Sequence, residues 1–437
     1  MQNEMLKEQN KAISIQNQVS FALCLMLCFP QIASAIPNII NNILGHSIPI
    51  LTALIYVMYY VVVIGVSLRC IGLMTPMRLL ITIIFTLSLL LTYAFNEKTR
   101  GYIWTSFLDV RNNPMYLLLI YAFIAFLLSD YLHDVSRFLI MLRWFSTLSV
   151  ILAILHYTTG VVSGKTPEYM TFSYNVLFPT AFLWTCSFSW FSILLAAIGT
   201  MLIFIAGCRG ALMCLLLGIV LYYVFFRASK PVNRFLAVFF SVMIILILLF
   251  FWEQIMTAFM QLLEHLGISS RNVEKIINND FLTDSGRALI QRRIRNRWGI
   301  TGAGLFGDRT MANGHYSHSI FYELLADFGW VLGGGLLIGW LGLILFALIK
   351  SDEPGQRLLC VLLPGGCFKL FLSGSFLGQE PAFYMLLGVA LNCVMIYKNT
   401  QRFRRDMYSR FLLNEKVRPH ENIQQDLAQS KMSDQAE

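Results

Sequence analysis

The sequence predicts an all-α, polytopic integral membrane protein with about twelve transmembrane helices and one large outer-face loop. Two observations predict this class. Hydrophobic residues make up 57% of the 437 residues and charged residues only 13%, whereas soluble domains carry roughly 25% charged residues. Several apolar runs also reach the roughly 17–25 residues that a spanning helix needs. The mean hydropathy of +0.64 agrees with both.

Apolar runs separated by polar breaks set the positions of the spans. We predict them near residues 18–36, 48–66, 78–95, 115–129, 138–156, 172–187, 189–206, 210–226, 233–252, 318–349, 355–373 and 381–398. The sixth and seventh runs are short and barely separated, so they also fit one re-entrant pair. The first run ends in Ala33-Ser34-Ala35, which resembles a signal-peptidase site. Because many spans follow, we expect an uncleaved first helix.

Basic residues indicate the topology. With a cytoplasmic N-terminus, the inside breaks carry a series of cations: Arg69, Arg78, Arg137, Arg227, Lys230, Arg234, Lys350 and Arg357. The short outside breaks 37–47 and 374–380 carry no Lys or Arg, as the positive-inside rule expects. We therefore expect both ends of the chain to be cytoplasmic.

Four regions follow from this topology. Residues 1–252 hold the first nine spans and the cytoplasmic N-terminus. Residues 253–317 form a loop on the outer face, a partly helical cap in which Ile290, Ile294 and Trp298 recur every four residues on one face. Residues 318–398 hold the last three spans. Residues 399–437 form a cytoplasmic tail that is basic at first and then polar and disordered.

Charge and cysteine usage exclude several function classes. The net charge is +9, but the basic residues lie between and after the apolar segments. We therefore expect no nucleic-acid partner. The nine cysteines lie in or at the edges of apolar runs, and none forms a C-x-x-C pair. We therefore predict neither a disulfide framework nor a zinc site.

Arginines are the first candidates for chemistry. Arg209 lies between two apolar runs in GCRGALMC. An arginine in hydrocarbon costs at least about 2.5–3.5 kcal/mol, so it faces a polar cavity or an anion, or it extends to lipid phosphates. The predicted cap holds a cluster in SGRALIQRRIRNRW: Arg287, Arg292, Arg293, Arg295 and Arg297. Guanidinium groups bind phosphate oxygens bidentately, so we expect one or two of these to contact a substrate and the rest to contact headgroups.

A glycine motif follows the arginine cluster, in GAGLFG at residues 302–307. It fits the G-x-G-x-x-G of dinucleotide-binding turns, but no buried strand precedes it and it lies outside the cytoplasm in this topology. We therefore expect no nucleotide cofactor. Gly302 and Gly304 instead allow the backbone to turn tightly as the loop re-enters the membrane.

Two histidines and an acidic residue come next, at His315, His318 and Glu323. They form a conceivable metal triad, but H-x-x-H is frequent by chance and no second ligand cluster accompanies it, so we expect no metal. His318 at the mouth of a span suits a general base, because its ordinary pKa near 6.5 leaves it largely neutral. It also suits a helix cap.

The ordered combination is more specific than its parts. A C-R-G-A segment, a long outer loop with S-G-R and a tryptophan, a G-x-G turn and then HSIFYELLADFG entering a span resemble the O-antigen polymerase and O-antigen ligase family. The resemblance covers roughly residues 170–398. Two departures from the family's usual pattern are Cys208, where Ser is common, and Ser319, where Asn is common.

The resemblance implies a metal-independent glycosyltransferase in the bacterial inner membrane, with its active site facing the periplasm. Its substrates are undecaprenyl-pyrophosphate-linked oligosaccharides, and its other partners are membrane lipids and a chain-length regulator protein. Arg209 and Arg287 match family arginines expected at the pyrophosphate, and Arg293 is a further candidate from the same cluster. His318 matches the family histidine that activates the acceptor hydroxyl, oriented by Glu323.

Three functions remain open at this stage. A polymerase transfers the glycan to another lipid-linked repeat unit, and a ligase transfers it to the lipid A-core. We favour the polymerase, because each repeat unit demands its own enzyme. A lipid-linked oligosaccharide flippase or another transporter is the alternative from a different class. It should carry charged residues near the midplane and internal symmetry, and the sequence offers mainly Arg143 and Lys369 and no repeat.

Overall fold

A computed structural model describes residues 2–71, 74–104, 114–132, 134–165, 167–186, 189–223, 254, 261, 286–378 and 380–396. Every regular element among these residues is helical, which confirms the all-α fold class. Outside the described residues lie the predicted span 233–252, nearly all of the loop between 253 and 285, and the tail beyond residue 396.

Fourteen helical elements are described. In chain order they are α1 Gln2–Leu44, α2 Pro49–Cys70, α3 Pro76–Phe95, α4 Glu97–Ile103, α5 Pro114–Tyr131, α6 Val135–Val162, α7 Tyr169–Cys186, α8 Trp190–Ala206, α9 Arg209–Tyr222, α10 Arg287–Arg295, α11 Gly307–Met311, α12 Ile320–Lys350, α13 Glu353–Leu372 and α14 Pro381–Ile396. Helices α5 and α13 each contain a π-helical turn, at Leu117–Phe123 and Pro364–Phe368.

Seven of the described helices are long and apolar enough to cross a membrane: α1 from Ile13 onwards, α2, α3, α5, α6, α12 and α13. Helices α8, α9 and α14 are apolar but shorter. Large apolar side chains on α2 and α3, such as Leu54, Val61 and Leu87, are more than half exposed. A water-soluble protein would bury such surfaces, so the chain is a multi-pass membrane protein whose outer helices face lipid.

Local sequence explains where many helices begin and end. Proline opens α2 and α3 at Pro49 and Pro76, where its missing N–H costs no helical hydrogen bond. The carboxylate of Asp352 caps α13 by accepting from the Gly355 N–H at 3.1 Å. Gly207, with φ of 94°, ends α8 in the left-handed conformation and leads directly into α9.

Helix α7 lies among five neighbouring helices and, at 18 residues, is not among the helices apolar enough to cross a membrane. It packs against α6, α8, α9 and α13, with α1 on another side. Thr171, Tyr174 and Asn175 extend from it into a polar cavity. Its lower hydropathy is explained by this position, because its polar side chains line the cavity and do not face lipid.

The topology prediction counts Arg78 among the cations of a cytoplasmic break between spans, whereas the structure buries it. It lies in the first turn of α3 with 1% of its surface exposed. Its guanidinium donates to Phe126 O, and to Asn392 Oδ1 at 2.6 Å, and forms a 3.2 Å ion pair with Asp130. Its charge therefore ties α3, α5 and α14 together inside the protein and is not available to lipid headgroups.

Candidate functional site

The glycine motif packs against a kink in α12. Gly329 has φ of 76° and ψ of 178°, which interrupts the helical hydrogen bonds around it. The carbonyls freed by the kink accept from the motif instead: Ala303 N–H donates to Ala326 O at 2.8 Å, and Gly304 N–H donates to Asp327 O at 3.0 Å. A Cβ on Gly302 would lie 2.0 Å from Asp327 O. The motif thus anchors the loop to the helix, which is a structural role.

Two buried aspartates fix the segment that follows. Asp327 accepts from the backbone N–H groups of Phe306 and Asp308, both at 3.3 Å. Asp308 in turn accepts from the Arg309 and Ser317 N–H groups, both at 2.8 Å. Burial raises the pKa of Asp308, while these N–H donors and Arg309 oppose that rise. We call residues 286–319 the cap. The hydrogen bonds of Asp327 and Asp308 therefore fix the backbone of the cap to α12 as far as Ser317, next to the candidate histidine.

His318 lies at the end of this segment, immediately before the Ser319 N-cap of α12. Its φ of 57° is left-handed, a strained conformation for a residue with a Cβ. Its ring packs against Tyr316 with centroids 3.8 Å apart, and its Nδ1 is buried without a hydrogen-bond partner among the described residues. Burial, then Arg287 and His315, lower its pKa to about 4. His318 is therefore neutral near pH 7 and able to accept a proton.

Arg287 connects the cap to the end of α13. It is the first residue of α10, and its guanidinium donates to Leu372 O at 2.5 Å and to Ser373 Oγ at 3.4 Å. The Tyr316 hydroxyl donates to Ser373 O at 3.4 Å. A cation at the C-terminal carbonyls of a helix is favourable, because it faces the negative end of the helix dipole. Arg287 and His318 therefore lie near each other, because Arg287 and Tyr316 both bond to Ser373 and Tyr316 packs against the His318 ring.

A polar cavity of about 460 Å³ opens beside Ser373, which is within the size range of small-ligand sites. Helix α1 and helix α7 form one wall, and α13 with the segment 373–382 forms the other. Its charged lining residues are Arg309, Lys369 and Glu380, and the cap contributes Tyr316 as well. The cavity therefore has two cations and one carboxylate in its wall.

Arg209 begins α9 directly after Gly207 and Cys208. A Cβ on the next residue, Gly210, would lie 2.3 Å from the hydroxyl of Tyr174, which lines the cavity. The start of α9 therefore adjoins the cavity wall. Arg209 itself is not among the residues that line the cavity, and the N–H groups of Gly210 and Ala211 at the start of α9 interact with the Cys208 side chain.

Glu323 is buried, and it bonds to the segment after α13. Its carboxylate accepts from the Ser375 hydroxyl and, at 2.9 Å, from the Phe376 N–H. We call residues 373–378 the strap. The resemblance implies that Glu323 orients His318, whereas the structure gives Glu323 these two partners on the strap. Glu323 therefore holds a wall of the cavity, because Ser373 and Ser375 both line it.

Arg293 lies on α10, six residues after Arg287, and its side chain is exposed. It is not among the residues that line the cavity. In the described part of the chain, no cluster of three or more His, Cys, Asp or Glu side chains has the geometry of a metal site.

Sequence reasoning missed three of the residues that face the cavity. Arg309 and Glu380 were not singled out, and Lys369 was considered only as a midplane charge of a transporter. Each is a single charged residue in a short polar break, a pattern that also describes ordinary interfacial residues. They meet only in the folded chain, where the cap, α13 and the segment before α14 line one cavity with α7.

No family model matches the chain, and no curated protein matches it in sequence.

Proposed function

We propose that the chain is a polysaccharide polymerase, a membrane glycosyltransferase that joins oligosaccharide repeat units carried on undecaprenyl pyrophosphate. One observation carries the proposal: a polar cavity walled by membrane helices has cations on its lining and a neutral histidine beside it. Hydrophobic helices would hold the carrier lipid, and its diphosphate needs positive charge in a site of low dielectric constant.

The topology belongs to the proposal. Twelve spans, with both termini in the cytoplasm, put the cap and the polar cavity on the periplasmic side of a bacterial inner membrane. The lipid-linked substrate then reaches the cavity from the bilayer, and the growing glycan remains in the periplasm. Exposed arginines of α10, Arg293 among them, face the headgroup region, where they bind lipid phosphates.

The reaction follows from the charges around the cavity. An acceptor hydroxyl transfers its proton to His318 as its oxygen forms a bond to the anomeric carbon of the donor. The bond from that carbon to the diphosphate breaks, and the diphosphate leaves with the electron pair. Arg209 and Arg287 stabilise the negative charge that develops on it without a metal ion. Glu323 acts as a positioning residue, because it fixes the strap.

The test is surface-glycan profiling in a deletion strain complemented with variants. We expect His318→Gln and Arg287→Gln to abolish the long ladder while a core-plus-one-repeat band remains. Arg295→Gln is the matched control, since it is an exposed arginine of the same helix and should leave the ladder intact. Blots of each variant check the protein level.

Two other outcomes would change the proposal. Loss of even the single-repeat band, with lipid-linked polymer accumulating, would identify a ligase. A normal ladder in both His318→Gln and Arg287→Gln would refute the proposed site.

A further inference from the structure

The wall of the polar cavity contains an ion pair that the reaction described above does not use. Lys369 Nζ and Glu380 Oε1 are in direct contact, and their side chains are 17% and 16% exposed. Lys369 comes from the last turn of α13 and Glu380 immediately precedes α14. Both line the cavity, so an incoming ligand meets this pair directly.

A second cation, Arg309, faces the same cavity. Its guanidinium lies 4.6 Å from the centroid of the Phe306 ring, and among the described residues no carboxylate lies within ion-pair distance of it. The charge of Arg309 lowers the pKa of the neighbouring Asp308, but Asp308 does not line the cavity. The cavity lining therefore carries one more cation than carboxylate, and an anionic ligand would neutralise this difference.

We propose that the Lys369–Glu380 pair is exchangeable: a diphosphate entering the cavity takes Lys369 and Arg309 as its cations and releases the carboxylate of Glu380. This inference rests on the proposed function, since it assigns two further ligands to the same donor. A diphosphate offers more negative charge and more acceptor oxygens than a carboxylate, so it competes well for an ammonium group.

The surroundings of the pair suit an exchange. Lys369 Nζ lies 5.0 Å from the centroid of the Tyr174 ring, so a cation–π contact holds the ammonium in place when its partner leaves. The backbone of Glu380 is fixed, because its carbonyl accepts from the Phe383 N–H at 3.0 Å. Only the Glu380 side chain has to move. Because the pair is more than four-fifths buried, separating it without a replacement anion is costly, so the diphosphate has to take over Lys369 as Glu380 leaves.

The exchange couples the two substrates. While the cavity is empty, Glu380 is bound to Lys369 and does not interact with a sugar hydroxyl. Once the diphosphate occupies Lys369, the carboxylate is free at the cavity wall and accepts a hydrogen bond from the acceptor. The donor therefore prepares the site for the acceptor, and binding is ordered.

The test measures binding of inorganic pyrophosphate to the purified full-length protein in uncharged detergent, by titration and by thermal stabilisation. We expect Glu380→Gln to bind pyrophosphate about three- to tenfold more tightly than the wild type, because it removes a competing charge. Lys369→Gln should bind about fivefold more weakly or worse, and Lys369→Arg should bind like the wild type.

A matched control removes a carboxylate from another ion pair. Glu353 pairs with Arg357 at 2.5 Å on the exposed surface of α13, so Glu353→Gln should leave the affinity unchanged. Phosphatidylglycerol, which has a single phosphate, serves as the second probe. If it binds as tightly as pyrophosphate and responds to Glu380→Gln in the same way, the site is for a lipid headgroup and the diphosphate assignment is overturned.

The results separate the inference from the proposed function. If the wild type does not bind pyrophosphate, the donor site itself is refuted. If the wild type binds it but Glu380→Gln binds no more tightly, the exchange is refuted and the donor site stands. Should Glu380→Gln fail to fold, Glu380→Ser carries the same expected sign.

Discussion

Replacing Gly302 by alanine should disconnect the cap from α12. The added Cβ would lie 2.0 Å from Asp327 O and 2.4 Å from Phe328 N, and both atoms belong to the backbone of a packed helix. No rotamer change relieves such contacts. Real Cβ atoms essentially never approach closer than 3.0 Å, so the two segments must separate by about 1 Å.

This separation breaks the hydrogen bonds that join the segments. The bonds from Ala303 N–H at 2.8 Å and Gly304 N–H at 3.0 Å are lost or greatly lengthened. Leaving two buried carbonyls without donors costs about 1–3 kcal/mol each, so we expect a local destabilisation of about 2–6 kcal/mol. The loss should disorder the cap more than the membrane helices.

The assay is the melting temperature of purified protein by size-exclusion chromatography after heating, together with hydrogen exchange in the cap. We expect the melting temperature of Gly302→Ala to fall by several degrees. Gly299→Ala is the control, because its Cβ meets only Thr301 O at 3.7 Å. Gly304→Ala should be intermediate, at about 1 kcal/mol, since its φ of 85° is strained but its surroundings are open. Equal stability of Gly302→Ala and Gly299→Ala would refute the reasoning.

Three other predictions concern the site and its support. His318 must be neutral to accept a proton, so kcat/KM of the wild type should fall only as the pH drops through about 4. His315→Gln should move this fall to higher pH, because the charge of His315 lowers the pKa of His318. A fall near pH 6.5 in the wild type would contradict this. Arg78→Gln should destabilise the protein by about 3–5 kcal/mol in thermal unfolding, whereas Arg69→Gln, at an exposed arginine, should have almost no effect. Glu323→Gln should increase hydrogen exchange in the strap while exchange in α2 stays unchanged, and a strap as protected as in the wild type would argue against the positioning role.

Much of the fold could be predicted because the information is local. Apolar runs of membrane-spanning length predicted α2, α3 and α12 to within about four residues at each end, whereas α1 and α6 extend further than predicted. Pro49, Pro76 and Asp352 begin their helices for reasons that lie within one turn of the chain. The motif also predicted a tight turn at Gly304, which has a φ of 85°.

The site could be predicted only in part. Arg287 and His318 were singled out by residue type, and the structure brings them together through Tyr316 and Ser373. Their chemical roles remain predictions. The partner of Glu323 could not be predicted, because the strap lies about fifty residues further along the chain and only packing sets their distance.

The sequence by itself determined that this protein is helical and spans a membrane, since composition and hydropathy act through solvation of each segment separately. Only the tertiary structure decided that Arg78 is buried in a network instead of lying at the headgroups. It also decided that Arg309, Lys369 and Glu380 share one cavity. Electrostatic environment depends on which distant segments pack together, and that is a property of the assembled bundle.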